Sequence, residues 1–238
     1  LKATDSKEIK WVVNYQIATL KRANNQPAVK GVKNIIAVTS GKGGVGKSSV
    51  SVNLALALQA QGARVGILDA DIYGPSIPHM LGAPHQRPTS PDNQHITPIK
   101  AHGLSANSIG FLMDEDNATI WRGPMASSAL SQLLNETLWD SLDYLVIDMP
   151  PGTGDIQLTL SQQIPVTGAV VVTTPQDIAL LDAVKGVSMF ERVSVPVLGI
   201  VENMSMHICS NCGHHEAIFG TGGAEKMAQK YNVKVLGQ

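Results

Sequence analysis

Residues 35–48 read Ile-Ile-Ala-Val-Thr-Ser-Gly-Lys-Gly-Gly-Val-Gly-Lys-Ser, and this stretch decides the fold. Its first four residues predict a buried strand, its glycine-rich part predicts a turn, and the apolar residues up to Leu58 predict a helix after the turn. The turn has the spacing Gly-x-x-x-x-Gly-Lys-Ser, which is typical of a phosphate-binding loop when it lies between a strand and a helix. The sequence therefore predicts a nucleotide site at residues 41–49.

This loop supplies the donors that a nucleotide polyphosphate needs. Glycines leave backbone N–H groups free to converge on phosphate oxygens, and the N-terminus of the following helix adds partial positive charge. We expect Lys47 to contact the outer phosphates and the hydroxyl of Ser48 to bind Mg²⁺. The expected nucleotide-binding residues of the loop are Gly41, Lys42, Gly43, Gly44, Val45, Gly46, Lys47, Ser48 and Ser49.

Acidic residues follow two further strands. A second apolar strand, residues 64–68, leads into Asp69 and Asp71, and a third, residues 144–147, leads into Asp148. Carboxylates at the carboxyl ends of strands lie where open α/β sheets bind ligands. A phosphate-binding loop needs an acidic residue on its Mg²⁺ side, and Asp148 has the position to supply it. Asp69 and Asp71 can alternatively cap the segment that follows them.

Strands and helices alternate along the chain. Residues 169–173 and 197–201 predict two more buried strands, with a helix from about residue 178 to 193 between them. Strands that are apolar throughout are typical of a parallel sheet covered on both faces. The predicted fold is a doubly wound, mostly parallel α/β sheet with helices on both faces, as in P-loop NTPases. Residues 83–102, rich in Pro, His and polar residues, predict a long surface excursion.

The chain divides into a short polar segment and one large domain. Residues 1–31 are weakly patterned and resemble the tail of an N-terminal domain plus a linker, whereas residues 32–238 are the predicted ATPase domain. The chain starts at Leu1 rather than Met, and residues 233–238 resemble a strand cut off at its end. We therefore expect a piece of a longer protein, truncated at its C-terminus.

Composition narrows the class of protein. With 43% apolar residues, a chain of 238 residues can bury the core of one large domain. A net charge of −1 argues against a surface dominated by basic charge for nucleic acid. The sequence has no apolar run of about 18 residues and no signal-peptide pattern. We expect a cytoplasmic protein that has neither a membrane nor nucleic acid as a partner.

Both cysteines lie in one Cys-x-x-Cys motif, formed by Cys209 and Cys212 and followed by His214 and His215. Two thiolates at this spacing can share one soft metal, but a structural Zn²⁺ or an iron–sulfur cluster needs about four ligands. A homodimer would bring two motifs together and give four thiolates for one 4Fe–4S cluster. His214 or His215 could instead complete a zinc site within one chain, and a redox dithiol is the third alternative. The spacing alone leaves zinc and cluster open.

Several blocks of the chain resemble the Mrp/ApbC family of iron–sulfur cluster carriers. Lys42 gives the loop a second lysine, as in the deviant P-loop of the superfamily that holds the cell-division ATPase MinD and the partition ATPase ParA. Three segments match the carriers in particular, and the last of them contains both cysteines: residues 69–78, 148–155 and 201–224. The match extends from about Ile35 to Gln238, which is almost the whole chain.

The resemblance implies roles that the residue spacing leaves open. In this superfamily the extra lysine, here Lys42, contacts the partner's phosphates in a homodimer with ATP at its interface, although a surface lysine is the alternative. The resemblance places Asp69 in the water shell of Mg²⁺, Asp71 beside the attacking water and Asn203 against the adenine. Lys42, Lys47 and Asp71 would then carry a slow hydrolysis of ATP.

For the cysteines, the resemblance implies a 4Fe–4S cluster that Cys209 and Cys212 of two subunits hold and pass to apoproteins. Two other functions remain open. One is a MinD- or ParA-like positioning ATPase, whose output is binding to membrane or DNA. The other is a zinc-stabilised regulatory NTPase, in which the cysteines are purely structural.

Overall fold

Strands and helices alternate through the part of the chain that the computed structural model describes, which is residues 16–23, 25–112 and 123–238. The strands are β1 (Val32–Ser40), β2 (Val65–Asp69), β3 (Ile99–Ala101), β4 (Leu104–Ser108), β5 (Leu142–Asp148), β6 (Gly168–Thr173), β7 (Val197–Glu202), β8 (His207–Ile208), β9 (His215–Glu216) and β10 (Val235–Gly237). The helices are α1 (Lys47–Ala60), α2 (Ile77–Met80), α3 (Gly123–Asn135), α4 (Asp155–Gln163), α5 (Asp177–Arg192) and α6 (Gly223–Tyr231). None of the helices in these ranges has both the length and the apolar character needed to cross a bilayer.

Eight strands form one sheet in the order β10-β7-β6-β1-β5-β2-β4-β3. Neighbouring strands are parallel throughout, except that β3 and β4 are antiparallel. The predicted mostly parallel sheet is therefore confirmed. Because β1, β2 and β5 run in the same direction, their carboxyl ends meet at one edge of the sheet.

Helices cover both faces of this sheet. Alternate residues of a strand point to opposite faces. In β1, Ile35 and Ala37 pack in one cluster with buried residues of α3, α4 and α5, whereas Ile36 and Val38 pack in another with α1. A third cluster joins α5 and α6 to β6 and β7. The predicted doubly wound arrangement is confirmed by these two packed faces.

One edge of the sheet differs from the prediction. Most of residues 83–102 are exposed, but Ile99–Ala101 form β3 and pair with β4, which itself pairs with β2. Strand β4 was not predicted because it carries the buried polar residues Ser105, Asn107 and Ser108 in place of an apolar run. Hydrogen bonds make this burial possible: the amide of Asn107, for example, donates to the hydroxyl of Thr137 at 2.7 Å.

A buried carboxylate connects three elements at the amino end of the sheet. Asp143 forms an ion pair with Lys33, with 2.7 Å between Oδ1 and Nζ, and accepts a hydrogen bond from the backbone N–H of Arg64 at 3.0 Å. Burial raises the pKa of Asp143, but the hydrogen bonds from Lys33 and Arg64 outweigh burial and hold this pKa well below its usual value. The ionised carboxylate therefore stabilises the junction of β1, β2 and β5.

The segment before β1 is hydrogen-bonded to the same end of the sheet. The Asn34 side chain accepts from the amide of Leu20 and donates to the carbonyl of Ala18, both at 2.9 Å. Residues 1–15 of the predicted tail lie outside the described residues. The division of the chain into tail and ATPase domain stays a prediction.

Candidate nucleotide and metal sites

The phosphate loop lies between β1 and α1, at the carboxyl end of a central strand. Gly44 and Gly46 have left-handed backbone conformations, with φ of 78° and 84°, which glycine adopts most readily. Gly46 immediately precedes α1, so the N–H groups of the first helical turn lie at the loop. A Cβ at Gly43 or Gly44 would meet no atom within 4 Å, which leaves open space above these two residues. This arrangement can bind phosphate.

Carboxylates neutralise the buried Lys47. Its Nζ lies 2.8 Å from Asp148 Oδ1 and 3.8 Å from Asp71 Oδ2. The hydroxyl of Ser48 donates to Asp148 Oδ2 at 2.6 Å. The structure thus brings together four of the predicted site residues, Lys47, Ser48, Asp71 and Asp148, which come from three separate segments of the chain.

Ser51 belongs to this cluster, although the sequence analysis did not include it. Its fully buried hydroxyl lies 2.7 Å from Asp148 Oδ1 and 3.0 Å from the carbonyl oxygen of Lys47. Residues four apart on a helix share a face. The position of Ser51 one turn after Lys47 was therefore a signal in the sequence that could have revealed it.

Asp69 lies beside Asp148, because β2 and β5 pair in a register that aligns these two residues. The Asp69 carboxylate is fully buried and accepts hydrogen bonds from the amides of Asp71 and Ile77 and from the hydroxyl of Ser108, all at 3.1 Å. Burial, followed by repulsion from Asp148, raises the pKa of Asp69 to about 7. The contacts with the amides of Asp71 and Ile77 agree with the alternative that Asp69 caps the following segment. A cation beside Asp69 and Asp148 would favour the ionised form of Asp69.

A cavity of about 230 Å³ lies at the phosphate loop. Its walls are Ser40, Gly43, Gly44, Gly46, Lys47, Ser48, Ser49, Asp71 and Pro151. Three predicted loop residues, Gly41, Lys42 and Val45, are not among the residues that line this cavity. Burial raises the pKa of Asp71, and the nearby Lys47 opposes this rise. The cavity therefore combines a cation and hydroxyls that can contact phosphate with a carboxylate that can contact water or a metal ion.

Asn203 contacts the phosphate loop from the end of β7. Its Nδ2 donates a hydrogen bond to the carbonyl oxygen of Val45 at 2.9 Å. A Cβ at Gly46 would overlap Nδ2, so this close approach requires glycine in addition to the backbone angle. The structure places Asn203 against the loop, and its contact with adenine stays a prediction.

The two cysteines lie apart from this cluster, on a small hairpin that we call the cysteine hairpin (residues 207–216). Its strands β8 and β9 are antiparallel, and the turn between them carries both free thiols. The amide of Cys209 donates to the carbonyl of His214, and the amide of Gly213 donates to the carbonyl of Cys209, both at 2.9 Å. Hydrogen bonds from the backbone of Cys212 and Asn211 lower the pKa of the Cys209 thiol. A thiol with this tendency is suited to binding metal as the thiolate.

The ligand set at the hairpin is incomplete among the described residues of one chain. Among the described residues, no group of three His, Cys, Asp or Glu side chains converges as a metal site. His214 and His215 therefore do not complete a three-ligand set with Cys209 and Cys212, although they are close in sequence. The zinc site within a single chain gains no support, and a metal held by the two thiolates needs further ligands from elsewhere.

A family model described as "ParA: NUBPL iron-transfer P-loop NTPase" matches residues 31–238. The chain belongs to this family. The resemblance inferred from the sequence blocks is therefore confirmed, together with the P-loop NTPase class of the fold.

Two bacterial relatives match this chain over its full length. A protein of Haemophilus influenzae named iron-sulfur cluster carrier protein is 94% identical over 238 residues, and an Escherichia coli protein of the same name is 74% identical. A Dictyostelium discoideum protein named iron-sulfur cluster transfer protein NUBPL is 51% identical and matches 88% of the chain. The chain spans 64% of the length of the two bacterial relatives.

Solved structures support the same fold. A nucleotide-binding protein from Archaeoglobus fulgidus, in complex with ADP, superposes with a TM-score of 0.76 at 40% identity, over 86% of this chain and 80% of that one. The cell-division ATPase MinD of Pyrococcus furiosus superposes with a TM-score of 0.56 at 22% identity, over 85% of this chain and 81% of that one. At 22% identity, the similarity to MinD shows only that the two proteins share a fold.

Proposed function

We propose that this chain binds and slowly hydrolyses ATP at the phosphate loop, and that its cysteines carry an iron–sulfur cluster to apoproteins. The loop geometry supports nucleotide binding, as does the ADP complex of the Archaeoglobus fulgidus protein, which is 40% identical. The names of the curated relatives support cluster carriage. The observation that carries the proposal is a Cys-x-x-Cys hairpin that offers two free thiols on the same chain as a phosphate loop.

Nucleotide binding needs a redistribution of the contacts of Lys47. In the structure its ammonium group lies against Asp148 and Asp71, and phosphates would take over part of that charge. The backbone of Gly43, Gly44 and Gly46, with the first turn of α1, would hold the phosphates. Asn203 is our candidate for contact with adenine.

Mg²⁺ fits the donors at this site. The hydroxyl of Ser48 and the carboxylate of Asp148 are hard oxygen ligands, and Mg²⁺ is usually bound by one or two carboxylates together with substrate phosphates. Burial and then the neighbouring Asp148 raise the pKa of Asp69, and a cation bound beside the two carboxylates would favour their ionised forms. Asp69 would hold water around the ion, and the ion would neutralise phosphate charge.

For hydrolysis, Asp71 would orient the attacking water from the cavity wall. Lys42, outside that wall, would act on the phosphates of a second copy and stabilise developing negative charge. The role of Lys42 requires a homodimer with ATP at its interface, whereas Asp71 acts within its own chain. Slow turnover would then change the arrangement of the two copies.

The cysteines would hold one 4Fe–4S cluster between two copies. Each chain offers two thiolates, and among the described residues no third ligand joins them. Two copies of the Cys209–Cys212 pair together supply four thiolates, which is the number that such a cluster uses. The exposure of Cys212 would let an acceptor apoprotein approach the cluster.

The test is anaerobic reconstitution with iron and sulfide, followed by measurement of iron, sulfide and native mass. Wild type should bind about four irons per two chains, and the Cys209→Ala/Cys212→Ala variant should bind none while keeping its affinity for ADP. Equal iron in both proteins would contradict cluster binding by this motif. Stoichiometric zinc in the purified protein, with no iron uptake, would assign the cysteines to a zinc site instead.

A further inference from the structure

The end of β7 contacts the phosphate loop through one residue, Asn203. Its backbone N–H donates to the carbonyl of Thr173 at the end of β6, at 2.8 Å, so the sheet holds its main chain. Its side chain donates to the carbonyl of Val45 at 2.9 Å. The carbonyl of Val45 is therefore in direct contact with the residue that follows β7.

The preceding residue, Glu202, contacts both ends of the segment that carries the cysteines. Its carboxylate is buried and accepts from the hydroxyl of Ser205 at 3.1 Å and from the amide of Ala224 at 2.7 Å. The same hydroxyl lies 2.7 Å from the carbonyl oxygen of Glu202, so its one hydrogen is shared between these two acceptors. Since Ala224 lies in the first turn of α6, the carboxylate is additionally favoured by the helix N-terminus. Glu202 thus closes residues 205–224 into a loop at its base.

The cysteine hairpin inside this loop has little packing of its own. All of residues 206–216 are exposed except Cys209, which is half-buried. Met204, which connects Asn203 to the hairpin, has a left-handed φ of 58° and so turns the chain sharply. The position of the hairpin is therefore set mainly by its base, at Ser205 and Ala224.

We propose that Glu202 and Asn203 are positioning residues that couple nucleotide occupancy of the phosphate loop to the position of the cysteine hairpin. Neighbouring residues at the end of a strand point to opposite sides, and here one side is the loop and the other is the base of the hairpin. The inference rests on the proposed function, because it joins the proposed nucleotide site to the proposed cluster ligands. It adds a physical connection through which the nucleotide site would act on the cysteine hairpin.

The connection is short, because it runs through two neighbouring residues and their hydrogen bonds. Phosphates bound to the loop fix the Val45–Gly46 peptide, and the hydrogen bond to Asn203 then restricts the exit of β7. Restriction of this exit holds Glu202 and, through it, both ends of the hairpin segment. Coupling between two sites in proteins commonly corresponds to a change of about 5- to 150-fold in an equilibrium constant.

Hydrogen exchange of metal-free, reduced protein tests this coupling, with and without saturating Mg·ADP. Peptides that cover residues 204–224 should exchange about fivefold more slowly when nucleotide is bound to wild type. Asn203→Ala and Ser205→Ala should each lose this nucleotide-dependent protection. Asn135→Ala, at an exposed asparagine whose side chain bonds to Ser131 within α3, is the matched control and should keep the protection.

Calorimetry with ADP separates the outcomes. If Asn203→Ala and Ser205→Ala bind ADP at saturation and the hairpin still gains the wild-type protection, the coupling does not run through these residues. A wild type that binds ADP without any change at residues 204–224 overturns the inference and leaves the proposed function intact. A wild type that binds no nucleotide overturns both, whereas failure to bind iron overturns only the proposed cluster carriage.

Discussion

Replacement of Asp148 by asparagine tests the link between Mg²⁺ and the nucleotide. The Asp148 carboxylate is fully buried and contacts Lys47 Nζ at 2.8 Å, Ser48 Oγ at 2.6 Å and Ser51 Oγ at 2.7 Å. Asparagine keeps the shape but removes the negative charge and one acceptor oxygen. Without Mg²⁺, the change frees Lys47 for phosphate, so the affinity for ADP should stay equal or rise. With Mg²⁺, the proposed charged ligand of the ion is lost.

The magnitude follows from the contacts of a charged group. Loss of one charge-assisted contact costs about 1.5–3 kcal/mol, and each 1.4 kcal/mol corresponds to about a factor of ten in affinity. The factor by which Mg²⁺ strengthens ADP binding should therefore fall about 10- to 100-fold in Asp148→Asn. The expected change is in the ratio of ADP affinities with and without Mg²⁺. A general loss of folding would lower both affinities and would not change this ratio selectively.

Calorimetric titration with ADP, once with Mg²⁺ and once with a chelator, measures this factor. The matched control is Asp92→Asn, because Asp92 is an exposed aspartate bonded to His95 away from the loop. Ser48→Ala should also lower the factor by which Mg²⁺ strengthens ADP binding. It serves as the test if Asp148→Asn folds poorly. An unchanged Mg²⁺ effect in Asp148→Asn, with a wild-type melting temperature, would refute the assignment of Asp148 to the ion.

Three further predictions concern the loop and the amino end of the sheet. Lys47→Ala should abolish ADP binding in calorimetry, whereas Lys42→Ala should keep it and slow phosphate release from ATP; equal ADP affinity of Lys47→Ala and wild type would contradict the site. Gly41→Ala should lower the melting temperature, because the new Cβ would overlap the backbone of Asp182. An unchanged melting temperature would contradict this steric conflict. Asp143 has a folded-state pKa below its ordinary value of 3.8, so its contribution to stability is present above about pH 4 and is lost as the pH falls further. Urea unfolding at pH 7 and about pH 3 should therefore show a smaller loss of stability in Asp143→Asn than in wild type, and equal losses would contradict this linkage.

The phosphate loop could be predicted because its chemistry is local. The order of strand, glycine turn and helix over residues 35–58 fixes the backbone shape and the donors within one short segment. The buried strands that lead to Asp69 and Asp148 were equally visible, since each is an uninterrupted apolar run. Strand β4 escaped prediction because its buried residues are polar and find their partners only in the folded sheet. Its Ser108, which bonds Asp69, escaped with it.

For the cysteine hairpin, too, the sequence predicted one part of the site and the structure was needed for the other. The spacing of Cys209 and Cys212 indicated a metal site, and the resemblance of the surrounding blocks indicated an iron–sulfur carrier. Sequence alone left zinc and cluster open, because ligands that are close along the chain need not converge. The structure shows that the described residues supply no third ligand beside the two thiols.

By itself, the sequence determined the class of fold, the family and the residues that form the phosphate loop, because each depends on short patterns with a local physical meaning. Only the tertiary structure decided that Asp148 contacts Lys47, Ser48 and Ser51 and that Asn203 contacts Val45. These partners lie about 100 residues or more apart along the chain. Their meeting depends on strand order and register, which place the ends of distant strands at one edge of the sheet.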